Sequence, residues 1–123
     1  MSRLSIRGLS SQEEAEINRL LDLEEVDLYI ELAQQLGTLD NKTDPEDKGK
    51  SWLGERIETI KKLICSEGNY CDFINENPNI RSVEIVAALG DLLSSVYGGL
   101  PVFTLASLLT QQQLNKLCEC ADR

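Results

Sequence analysis

Apolar residues along this chain recur at three- and four-residue spacings, and no segment alternates as a half-buried strand does. Ser10 and Glu13 match the S-x-x-E capping pattern, which predicts a helix starting near Ser11, with Ile17, Leu20 and Leu21 as its apolar stripe. The stripe then changes phase. Asp22 followed by Glu25 resembles a second cap, and Val26, Tyr29, Ile30 and Ala33 form a new face, so residues 11–36 read as one bent helix or two short ones. Gly37 fits the left-handed position that closes such a helix.

Residues 38–50 read as a solvated loop, although Asp44-Pro45-Glu46-Asp47 also suits a helix start, with proline at the first helical position. Leu53, Ile57, Ile60 and Ile64 share one face and predict a helix over 51–65. Residues 66–79 read as a connection with a helical turn near Tyr70–Asn75, and Asn77-Pro78 as the signal for the next start. Residues 80–97 are apolar on most sides, as in a helix covered by its neighbours. Gly98-Gly99-Leu100-Pro101 punctuates the chain before a last helix over 101–118. In that helix Val102, Leu105, Leu109 and Leu117 point inward, while Thr104, Ser107, Gln111 and Asn115 lie on another face. The pattern predicts an all-α fold, a small bundle of four or five antiparallel helices. Residues 1–10 form a flexible leader and 11–123 a single domain, with an acidic helical part over 11–47.

Charge adds a location. The 123 residues sum to −9, but residues 13–47 hold twelve acids against Arg19 and Lys42 and alone sum to −10. A run of acids is ordinarily a solvated face. It can also meet a basic protein partner, since complementary charge speeds association. Asp22, Glu24, Glu25, Asp27 and Glu31 are the candidate partner-binding residues. Loop 40–47 lacks the spacing and glycine of a helix–loop–helix calcium site.

The chain has no histidine, which removes Ser-His and Cys-His nucleophile pairs, imidazole metal ligation and histidine-based pH switching. Aromatic residues are few, and an acidic chain repels phosphates, so nucleic acid is not an expected partner. No phosphate-binding loop, dinucleotide fingerprint or metalloprotease motif is present, and no enzymatic activity is expected.

With consecutive antiparallel helices, Cys65 and Cys71 meet Cys118 and Cys120 at one end of the bundle. Three chemistries remain open. Reduced structural thiols are favoured. A disulfide between Cys65 and Cys71 would close a short loop, and a four-cysteine zinc site is the third. The C-x5-C and C-x-C spacings fit zinc poorly, and Cys118 and Cys120 face one ligand only if the helix stops at Cys118.

Met1–Ser11 lacks the apolar run of a secretory signal, and the expected location is cytoplasmic. Leu92 to Asn115 is a stretch of 24 uncharged residues, long enough to raise a membrane-acting or self-assembling hairpin over 80–118 as the alternative function. Gly98, Gly99, Pro101 and the glutamines weigh against a span, and a buried hairpin explains the stretch.

Overall fold

The computed structural model describes residues 4, 6, 8–36, 44–97, 101–112 and 114–120. Among these the fold is all-helical, with no strand. The elements are α1 (Ser11–Leu21), α2 (Glu25–Leu36), α3 (Pro45–Lys62) running into a π-helical turn (Leu63–Glu67), α4 (Tyr70–Glu76), α5 (Ser82–Val96), α6 (Val102–Gln111) and α7 (Leu114–Leu117). Six of the described α-helices have seven residues or more, above the expected four or five. The extra ones come from the break between α1 and α2 and from the short α4.

α1 starts as expected. Ser10 Oγ accepts from the Glu13 N–H at 3.1 Å, and the Ser10 N–H donates to Glu13 Oε1 at 3.1 Å. α3 begins at Pro45, so the second half of the expected 38–50 loop is helical; proline at the first helical position has no hydrogen bond to lose. α5 begins at Ser82 instead of following Asn77-Pro78. Pro78 stands in a turn in which the Ile80 N–H donates to the Asn77 carbonyl at 3.1 Å. The α5 start is fastened by the Arg81 N–H donating to Glu84 Oε1 at 3.0 Å. The expected 101–118 helix ends at Gln111 and is followed by α7. The expected roles of Gly37, of residues 38–43 and of Gly98-Gly99-Leu100 fall outside the described residues.

α2 packs most extensively on α3 and α5 on α6, with α6 also against α1 and α2. The core runs through all of them: Ile17, Leu28, Leu32, Ile60, Leu89 and Leu105 are fully buried. On α2 the buried residues are Leu28, Tyr29, Leu32 and Ala33, while Val26 and Ile30, assigned to the apolar face, are half-buried. Burial on α6 is continuous from Thr104 to Leu109, so Thr104 and Ser107 are inside rather than on a separate wet face. Leu4 is buried in the same core. No described helix is long and apolar enough to cross a membrane.

Candidate functional site

The acidic residues singled out in the sequence come together where α1 turns into α2. Only Asp22, Leu23 and Glu24 separate the two helices. The Asp22 N–H donates to the Asn18 carbonyl at 3.1 Å, the Leu23 N–H to the Leu20 carbonyl at 3.1 Å, and the Leu28 N–H to the Glu24 carbonyl at 3.0 Å. Helix C-termini leave carbonyls without partners, and here another helix supplies donors. Gln111 Nε2, at the end of α6, donates to the carbonyls of Leu21 at 3.3 Å and Leu23 at 2.8 Å. Gln112 Nε2 donates to Tyr29 Oη at 2.5 Å and reaches Glu25 Oε1 at 3.4 Å. The corner is thus held from below by two amides.

Asp22, Glu24, Glu25 and Asp27 are exposed on this corner. Glu31 is not part of the same open group. It is half-buried and accepts from Arg19 Nη1 at 2.9 Å and Nη2 at 3.2 Å. Arg19 also holds Glu16, with Nη2–Oε1 at 2.6 Å and Nε–Oε2 at 3.2 Å. That bonding keeps the Glu16 carboxyl below its ordinary pKa. Arg19, the one base between Glu13 and Leu36, is therefore engaged by Glu16 and Glu31, and four exposed carboxylates stand within six residues. Beneath them burial pushes the Tyr29 hydroxyl above its ordinary pKa, with the Glu25 charge adding to the effect.

Neither the family models nor the curated proteins nor the solved structures contain a match to this chain.

The cysteines do converge at one pole, but as two disulfides, Cys65–Cys118 and Cys71–Cys120, with Cα–Cα distances of 5.2 and 5.4 Å. The expected reduced thiols and the local Cys65–Cys71 link are both replaced by pairings across 53 and 49 residues. Zinc at Cys65, Cys71, Cys118 and Cys120 is not indicated, because sulfurs bonded to each other offer no thiolates. Among the described residues no other group of three or more acidic or cysteine side chains is arranged to hold a metal ion. The backbone explains how all four sulfurs meet. Cys65 lies in the π-helical turn, closed by the Gly68 N–H donating to the Leu63 carbonyl at 2.7 Å. A Cβ on Gly68 would stand 2.8 Å from the Ile64 carbonyl oxygen, so a larger residue would disturb that turn. Asn69 then adopts a left-handed conformation (φ 54°) two residues before Cys71. Glu119 does the same (φ 56°) between Cys118 and Cys120, so those two positions no longer follow helical spacing and each reaches its partner.

A shallow cleft of about 390 Å³ lies between α1, α2 and the start of α6, bordered by Glu16, Leu20, Gln35, Pro101 and Phe103. Thr104 Oγ1 donates to Gln35 Oε1 at 2.7 Å at its edge, and its titratable residue, Glu16, is committed to Arg19. The sequence placed Gln111 only on a face apart from the apolar one and assigned Gln112 no role. A glutamine run carries no signal for which distant carbonyl it will reach.

Proposed function

We propose that this protein is a non-enzymatic helical binding module, of the inhibitor, immunity or adaptor kind, that docks a basic protein partner through the α1–α2 corner. The observation that carries this reading is the set Asp22, Glu24, Glu25 and Asp27, exposed together while Arg19 is engaged by Glu16 and Glu31. Four like charges held close on a fixed turn repel one another and gain from a complementary cationic surface, which raises association rates and makes binding salt-dependent. The Gln111 amide at the end of α6 fixes the turn and Gln112, just beyond it, bonds α2, so little ordering is left for binding to impose. The disulfides favour an oxidising compartment over the cytoplasm expected from the sequence.

The alternative, a membrane-acting or self-assembling hairpin over residues 80–118, has less support. Leu89, Leu93, Leu105, Leu108 and Leu109 of that hairpin are fully buried, and among its described residues the exposed large apolar one is Val96. Partner capture followed by mass spectrometry tests the docking reading. Charge reversal at the corner (D22K, E24K, E25K and D27K together) should weaken the complex by about tenfold or more, since each exposed pair contributes ~0.2–1 kcal/mol. Reversal at Glu46, Asp47, Glu55 and Glu58 gives the same net charge and should leave binding nearly unchanged. A complex indifferent to salt and to the corner variant refutes the reading.

A further inference from the structure

We infer that the segment from Leu114 to Cys120 is a strap held on the body by its two disulfides and released when they are reduced. Its secondary structure cannot hold it alone, because α7 has four residues and isolated helices that short do not persist in water. Its backbone bonds turn inward, with the Cys118 N–H donating to the Leu114 carbonyl at 2.7 Å and the Glu119 N–H to the Lys116 carbonyl at 3.2 Å. Apolar anchoring rests on four side chains, Leu114 buried in the core at 2% exposure and Leu117, Cys118 and Cys120 half-buried against it, two of them the disulfide cysteines themselves. Glu119 is also held in a backbone conformation that a non-glycine residue leaves when free to do so. The body has its own support, since the large buried residues of α1, α2, α3, α5 and α6 pack on one another.

All four cysteines are half-buried, so a small or protein-borne dithiol can approach them. Each reduction breaks one sulfur–sulfur bond. Two electrons and two protons pass to the cystine, giving two thiols, and the dithiol closes to its own disulfide. Full release takes four electrons and two equivalents of dithiol. Both links must open, because either alone keeps the strap tethered within two residues of the other. The inference stands independently of the docking reading.

Limited proteolysis of the full chain with lysyl endopeptidase, with and without dithiothreitol and alkylation, tests it. Lys116 lies exposed inside the strap, and Lys50 is exposed on α3. Reduction should speed cleavage after Lys116 by at least tenfold, leave cleavage after Lys50 unchanged and preserve the far-ultraviolet helical signal. A variant with all four cysteines replaced by serine should show the reduced pattern without reductant. Equal cleavage after Lys116 in both states overturns the inference. So does loss of the helical signal with acceleration after both lysines, which would make the disulfides a support of the whole fold.

Discussion

Gly49 and Gly54 sit on the same helix, yet a methyl group added to each meets opposite surroundings. At Gly49 it would collide with the Tyr29 carbonyl group on α2. At Gly54 it meets nothing within 4 Å. Gly49→Ala should therefore destabilise by about 1–3 kcal/mol through overpacking against backbone. Gly54→Ala should stabilise by up to ~1 kcal/mol, because alanine loses less freedom in a helix. Urea melts of the two variants check the opposite signs. The sequence pattern puts Gly49 in a loop and Gly54 in a helix, and neither placement foretells that the approach of a distant helix makes Gly49 the necessary one.

Between elements, two polar fasteners carry separate consequences. Arg81 joins the start of α5 to α1, with Nη1 on Glu14 Oε1 at 2.7 Å and Nε on Glu84 Oε1 at 3.3 Å. The Glu84 carboxyl is held below its ordinary pKa, first by the Arg81 backbone N–H and then by the Arg81 side chain. A carboxyl lowered on folding stabilises the fold above its unfolded pKa, and the contribution is lost as pH falls through the folded value. The difference in melting temperature between the native chain and Glu84→Gln should accordingly be largest near neutrality and shrink below about pH 4. The second fastener is Gln111. Gln111→Ala leaves the carbonyls of Leu21 and Leu23 without that donor and should cost ~1–2 kcal/mol, seen in thermal melts, with faster amide exchange from Asp22 to Leu28. The start of α1 was legible because Ser10 and Glu13 act on backbone a few residues away, whereas the α3 start at Pro45 was only an alternative to the expected loop over 38–50. The end of α6 was not legible. Leu105, Leu109 and Leu117 fit one continuous helix face, which hid the break at Gln112, although the step from Leu109 to Leu114 is five residues and departs from helical spacing.

For the molecule as a whole, helical class and the meeting of the cysteines at one pole followed from the order of helices. Their pairing did not, because topology brings four sulfurs together without ranking partners. The ranking comes from the π-helical turn around Cys65 and the left-handed Asn69 and Glu119, three local departures from regular helix that side-chain periodicity does not encode. The charge run was visible in the sequence, but the engagement of Glu31 by Arg19 was not, because that partner lies on the preceding helix. The pairing also bears on how the chain is made. Synthesis runs from the N-terminus, so Cys65 and Cys71 are available about fifty residues before Cys118 and Cys120. Over that interval the one intrachain disulfide open to them is with each other. A nascent chain that oxidises early is thus offered the wrong cystine, and reaching the native pair then requires a thiol–disulfide exchange catalyst or a delay in oxidation until α5 and α6 have docked.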